Sequence, residues 1–317
     1  MLYFNNKEFK YKLANKGKSE CPTCGKKSFV LYIDTTTNQP ISPECGKCDR
    51  ADNCGYHFPP REYFKLHGIT PQYQKQPPKA PPKPIGTIPS DMASELVADT
   101  QSNFTSWLHS LFPADIVENI ISRRFLHTAK SPNGAVIFWQ ADIYNRIRTG
   151  HIMQYNATSG KRAKQGYCQD WAHTQLIKGG KLPEDFNMKQ CLYGEHLLQH
   201  QPDAMALVVE SEKTAILLDA IFPECVALAT CGCGNLSANK CRVLSGRNVW
   251  LLPDNGKYQE WNAKIPLMGF CKNIEASTIM ERYAQHKGDD IGDLITQWLT
   301  DGKGISEIRQ QIARLLK

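Results

Sequence analysis

A chain of 317 residues with 41% hydrophobic content has room for two or three small domains with real cores, which sets aside a wholly disordered polymer. It holds no run of about 18 apolar residues, and its start, MLYFNNKEFKYKLANKGK, lacks the apolar stretch of a secretory leader, so no membrane span and a cytoplasmic location are expected. The formal charge of +7 permits a polyanionic partner without demanding one, because long-range attraction needs the charge gathered on one face.

Of the twelve cysteines, five (Cys21, Cys24, Cys45, Cys48 and Cys54) crowd into one short segment, and in a reducing compartment clustered thiols read as metal ligands rather than disulfides. Two thiolates spaced by two residues on a tight turn can hold one tetrahedral Zn²⁺ together with a second such pair. Cys21-Pro-Thr-Cys24 is the first pair, followed by Gly25. For the second, spacing offers Cys45 with Cys48 or Cys48 with Cys54, and His57 is a further candidate. FVLYID at 29–34 is the expected strand between the knuckles. Free thiols in a small core are the alternative, but so short a segment could scarcely fold without a staple. A site filled by four protein ligands is closed and structural.

Residues 71–90 carry seven prolines and no apolar period, and read as an extended linker between a domain at 1–70 and the remainder of the chain. Helical spacing runs through 92–127 and breaks at Pro113, predicting two helices. From Gly134, AVIFW and RIRTGHIMQYN are β-rich runs separated by Asp142 to Asn145, as in an antiparallel hairpin. This gives a small α+β subdomain at 91–200. Within 201–317, ALVVE (206–210), CVALAT (225–230) and NVWLLPD (248–254) read as buried strands with helical KTAILLDAIF (213–222) and Ala238 to Leu244 between them. That rhythm predicts an α/β domain with a mostly parallel sheet.

Chemistry is expected where open α/β sheets place it, at the carboxyl ends of the strands. Glu210 ends one strand and Asp254 another, so the pair could share Mg²⁺ or Mn²⁺. Glu210 could instead cap the helix after it. Asp289, Asp290 and Asp293 form a further acidic group that could be only a favourable helix start. Arg146, Arg148, Lys161, Arg162, Lys164, Lys213 and Arg247 are candidates for a phosphate-binding groove. Trp139, Trp250 and Trp261 sit in apolar patterns and read as core. CGCGN at 231–235 lacks the lysine and Ser/Thr of a phosphate-binding loop and reads as a tight turn.

The order of zinc ribbon, linker, small α+β subdomain, and strands ending in Glu and then Asp resembles the bacterial and phage primases, whose catalytic core is the toprim domain. VVESEKTAILL resembles the toprim glutamate motif and LLPDNG the aspartate motif. More closely, CPTCGKKSFVLYID with CDRADNCGYH, then GHIMQYNATSGKR, CLYGEHLL, VVESEKTA and LLPDNGKYQEW, is similar to a toprim-like family of Bacteroidetes genomes and their mobile elements. The resemblance covers nearly the whole chain and favours Cys21, Cys24, Cys48 and Cys54 as the zinc set. It implies catalytic acids at Glu210 and Asp254, with Asp290 or Asp293 standing in for the third toprim acid and Asp290 taken as the further Mg²⁺ ligand, and a protein that binds single-stranded DNA or RNA and synthesises primers in replication or transfer of a mobile element. It also implies a helicase or relaxase as a partner. Two departures stand out. Toprim enzymes place Asp-x-Asp after the second strand, whereas Gly256 occupies the second position here; the glutamate motif commonly has Gly and a later Asp where this chain has Ser211 and Thr214. They leave a second reading, a module that keeps the fold and zinc without catalysis and tethers a partner to DNA.

Overall fold

A computed structural model of the chain describes residues 10–50, 53–69, 83–164, 166 and 169–316. It divides into two compact units, Met1–Pro81 and Pro82–Lys317. Among the described residues no helix is long and apolar enough to cross a membrane.

The first unit is a small antiparallel sheet. Its long strand, Lys27–Asp34, contains the predicted FVLYID run and pairs with Tyr11–Leu13, Ser19–Glu20 and Gly46–Cys48; His57–Phe58 adds to the last of these. The short helix Pro60–Leu66 comes next, with Pro at its start where a missing N–H costs nothing. The core is slight: Phe29, Cys21 and Cys48 are buried, with Leu31 and Tyr56 against them. So little apolar area cannot hold a fold of this size by itself.

The second unit begins inside the predicted linker. Gly86 donates its backbone N–H to the Asn187 carbonyl, the Asn187 side-chain amide donates to the carbonyls of Lys83 and Pro84, and Ile88 is buried against the sheet. Residues 71–82 of that linker lie outside the described residues. A five-stranded antiparallel sheet comes next, in the order Gln169–Trp171, Ile147–Met153, Val136–Ala141, His127–Ala129, Val97–Ala98. Its central hairpin is the one expected from AVIFW and RIRTGHIM. The turn is fixed by Asp142, whose carboxylate accepts from the backbone N–H groups of Tyr144 and Arg146. The two predicted helices are Asn103–Leu111, capped by Ser102 Oγ accepting from Thr105 N, and Ala114–Arg123, which Pro113 precedes.

The second sheet has four strands in the order Val226–Ala229, Ala206–Val209, Asn248–Leu251, Asn273–Ala276, and every neighbouring pair is parallel. Its central strands are apolar on both faces because helices cover both. Leu207 and Val209 face a core with Ile216 and Leu217 of the helix Glu212–Ile221, whereas Ala206 and Val208 face Leu244 and Trp261. The first of these cores also takes in Phe104, Trp107 and Phe138, so the two sheets of this unit share one interior. A fully buried ion pair ties the layers: Arg124 Nε donates to Asp219 Oδ2 at 3.1 Å and its Nη2 to the Ala227 carbonyl at 2.9 Å.

Candidate metal centre and acidic sheet edge

In the first unit the thiols of Cys21, Cys24, Cys48 and Cys54 all lie within 4.8 Å of one another, with Cys21 Sγ and Cys54 Sγ 3.6 Å apart. Tetrahedral Zn²⁺ with bonds of about 2.3 Å separates its sulfurs by roughly 3.8 Å, so this cradle fits the ion. Each knuckle turns on a left-handed glycine, Gly25 at φ 65° and Gly55 at φ 66°, a region where a Cβ is strained. The backbone N–H of Lys26 and the neighbouring thiols Cys54, Cys21 and Cys48 outweigh partial burial and hold the Cys24 thiol down to about 7, favouring the thiolate that a metal needs. Cys45 is fully buried but outside the cluster, and burial pushes its thiol up to about 11. His57 is also outside; its Nε2 meets the Tyr32 hydroxyl at 2.9 Å. A ribbon presenting four cysteine ligands in this way supports a structural zinc.

In the second unit Glu210 immediately follows Val209, and Asp254 lies three residues beyond Leu251, at the carboxyl ends of two neighbouring parallel strands. Glu210 does not cap the next helix. Ser211 does, its Oγ accepting from Thr214 N, which leaves the Glu210 carboxylate at the sheet edge. The loop before the helix Ile291–Thr300 closes on the same edge: Asn255 N donates to the Asp289 carbonyl at 2.9 Å. Asp290 caps that helix in a reciprocal box with Asp293, and its second oxygen accepts from Thr214 Oγ1 at 2.5 Å. A Cβ on Gly292 would stand 2.9 Å from Thr214 Oγ1 and 3.0 Å from Asp290 Oδ1, so glycine there lets the two segments meet.

The electrostatics record how close these acids are. Burial first, then the charges of Asp290, Glu210 and Asp293, push Asp254 up to about 8 against the pull of Arg162. Asp254 Oδ1 is buried with no hydrogen-bond partner among the described residues. Burial and the Asp293 charge likewise raise Asp290. Oxygen donors of this sort suit a hard divalent cation, which would remove the repulsion. Among the described residues no three of these acids converge as tightly as the four thiols do.

The basic candidates separate into two groups. Lys161, Arg162 and Lys164 belong to the loop after the hairpin, and Arg162 lies near enough to Asp254 to lower its pKa. Lys161 and Lys213 line a cleft of about 380 Å³ with His286, Asp289 and Asp293, and Lys213 Nζ is 3.2 Å from Asp293 Oδ1. Arg148 and Arg247 are engaged elsewhere. Arg148 is buried and donates from Nε to Asp142 Oδ2 at 2.8 Å, and Arg146 shares that carboxylate. Arg247, at the opposite end of the parallel strands, donates to the carbonyls of Leu198 and Gln201 at 2.6 and 2.7 Å.

Several further side chains around this edge were not expected there from the sequence. Thr214, where toprim motifs carry an acid, holds Asp290. Glu212 is buried and accepts from His151 Nδ1 at 2.7 Å, and His151 is covered by Trp171. The one sequence signal is the β-rich run holding His151; Trp171 lies on a strand of three residues, too short to show a period.

Two families match parts of the chain: a zinc β-ribbon finger over residues 9–69, and a domain of unknown function, DUF6371, over residues 102–255. No curated protein matches. Among solved structures, the chain is similar to the primase fragment of the bacteriophage T7 primase-helicase protein, with 9% identity, 96% of this chain and 100% of that chain covered, and a TM-score of 0.42. It is similar to the E. coli primase catalytic core (16% identity, 67% and 74% covered, TM-score 0.41). It is also similar to the zinc-binding and RNA polymerase domains of the Aquifex aeolicus primase (12% identity, 96% and 80% covered, TM-score 0.38).

Proposed function

We propose that this chain is a primase-like toprim protein that binds single-stranded DNA and joins nucleotides with a divalent cation at the edge formed by Glu210, Asp254 and Asp290, in replication or transfer of a mobile element. One observation carries the reading: a buried Asp254 with an unpartnered oxygen is driven up to about 8 by burial and by acids from two other segments. A structure held only for stability has little reason to gather like charges there, since each repels the others. The motif resemblance assigns Glu210 and Asp254 to the toprim acid set. Asp290, at the start of the helix Ile291–Thr300 and held by Thr214, supplies a carboxylate whose charge acts on Asp254, where Gly256 cannot.

In this reading Glu210 and Asp254 hold Mg²⁺ or Mn²⁺, with Asp290 at its side. A divalent cation held by these residues would supply neutralisation of the phosphate charge that builds as a 3'-hydroxyl attacks the α-phosphorus and pyrophosphate leaves. Lys161, Arg162 and Lys213 take the remaining phosphate charge, and the zinc ribbon grips template. The second reading, a non-catalytic module tethering a helicase or relaxase to DNA, draws on Gly256 and on the looser spacing of the acids.

Incorporation of labelled nucleotides on single-stranded DNA with Mg²⁺ or Mn²⁺ separates the two. Product is expected from the wild type and a loss of at least about 100-fold in Glu210→Ala, on the scale of removing a group that stabilises transition-state charge. No product from a wild type that still binds the strand would leave the tethering module.

A further inference from the structure

Trp171 and His151 are directly opposite in the antiparallel pair of Gln169–Trp171 with Ile147–Met153. Their rings lie parallel, 4.3 Å between centroids and 8° between planes. The imidazole is fixed from behind by the buried Glu212 at 2.7 Å. The indole differs from the core tryptophans of this fold. Trp107, Trp139 and Trp261 are at most 2% exposed, whereas Trp171 is only half-buried. His173 meets it at 47°, so among the described residues no ring stacks on its second face.

The position of this stack matters as much as its geometry. Glu212 opens the helix Glu212–Ile221 two residues after Glu210, so their Cα atoms are at most about 7.6 Å apart. The charge of Glu212 also reaches Tyr155, a buried ring that feels Arg162 and Asp290 as well. Through Glu212 the aromatic stack is therefore tied to the helix that follows Glu210 at the acidic edge. An indole held flat, oriented by an anchored neighbour and only half-buried, suits a second flat π-system, and beside a phosphate-binding edge that is a nucleobase.

We propose that Trp171, seated on His151, is a stacking platform for the base of a nucleotide whose phosphates lie at the Glu210–Asp254 edge. The inference rests on the nucleotide-binding reading of that edge and adds the residue that takes the base. Stacking accepts any base, so the platform supplies affinity and position without a sequence preference. The base can belong to a free nucleoside triphosphate or to the single strand.

The test uses the full zinc-loaded chain with Mg²⁺, titrated by calorimetry with ATP, inorganic triphosphate and oligo(dT), for the wild type, Trp171→Ala, Trp171→Phe and Glu210→Ala. Trp171→Ala is expected to weaken the base-bearing ligands by about 5- to 150-fold while leaving triphosphate unchanged, and Trp171→Phe to stay near the wild type. Loss for ATP alone assigns the base of the free nucleotide; loss for oligo(dT) alone assigns the strand. If Trp171→Ala weakens triphosphate as much as ATP, or weakens nothing, the indole only shields the His151–Glu212 pair and the platform is refuted. A wild type that binds neither ATP nor oligo(dT) overturns the platform together with the nucleotide reading. If it binds both and Glu210→Ala changes neither affinity, the edge assignment falls while the Trp171 result stands by itself.

Discussion

Cys48→Ala is expected to empty the zinc site and unfold the first unit, with Cys45→Ala as the contrasting control. The two cysteines are three residues apart and both buried, but only Cys48 is in the thiol cluster. Structural zinc contributes about 10–16 kcal/mol of apparent binding free energy in small ribbons near pH 7. The core beneath it, essentially Phe29 with a few partly buried neighbours, cannot replace that. Cys45→Ala removes one buried sulfur and leaves the ligands intact, a cost on the order of 1–2 kcal/mol. Metal content with circular dichroism checks both: close to one zinc in the wild type and Cys45→Ala, and none with loss of ribbon structure in Cys48→Ala. One zinc and a folded ribbon in Cys48→Ala would mean that Cys45 or His57 completes the site.

The second large effect lies at the acidic edge and changes with pH. Asp254 titrates at about 8 in the folded chain against 3.8 as the ordinary value, so the folded state binds a proton that the unfolded state releases. The resulting penalty is absent below the ordinary value, grows as pH rises and is complete above about 8. At roughly 1.36 kcal/mol per unit, its ceiling is about 6 kcal/mol. Asp254→Asn carries no such charge and is expected to be more stable than the wild type at pH 8.5, with the gap shrinking as pH falls and closing only below about pH 4. Added Mg²⁺ is expected to narrow the gap at pH 8.5 by stabilising only the wild type. Thermal unfolding across that range, with zinc retained and Mg²⁺ present or absent, reads the effect; parallel curves at all pH values would show that Asp254 is not the strained group.

How far the fold could be read depended on burial. The strands at 206–209, 226–229 and 248–251 announce themselves because both faces are covered, so their sequences are continuous apolar runs, two of them leading to a conspicuous acid. The fourth parallel strand, Asn273–Ala276, is an edge with alternating exposure and carries no such run, and it went unseen. Among the cysteines, spacing left Cys45, Cys48 and Cys54 in competition, since the choice depends on which thiols the sheet brings together. Arg148 and Arg247 looked like groove residues because a basic letter does not show its partner; a buried carboxylate holds one and backbone carbonyls the other. Asp290 carried the converse ambiguity, and it proves to be both a helix cap and a neighbour of Asp254. A cap made of a carboxylate still has charge to offer a cation, so the bland and the functional descriptions of that residue are compatible.

The central claim is that the acids at the end of the parallel strands bind a divalent cation. Mn²⁺ binding, followed by electron paramagnetic resonance on the zinc-loaded chain at pH 8, tests it most directly. The expected result is a saturable site in the wild type that weakens at least about tenfold in both Glu210→Ala and Asp254→Ala and is kept in Arg247→Ala, which alters the far end of the same strands. Wild-type protein without a saturable site, or equal affinity in all four proteins, would contradict the claim.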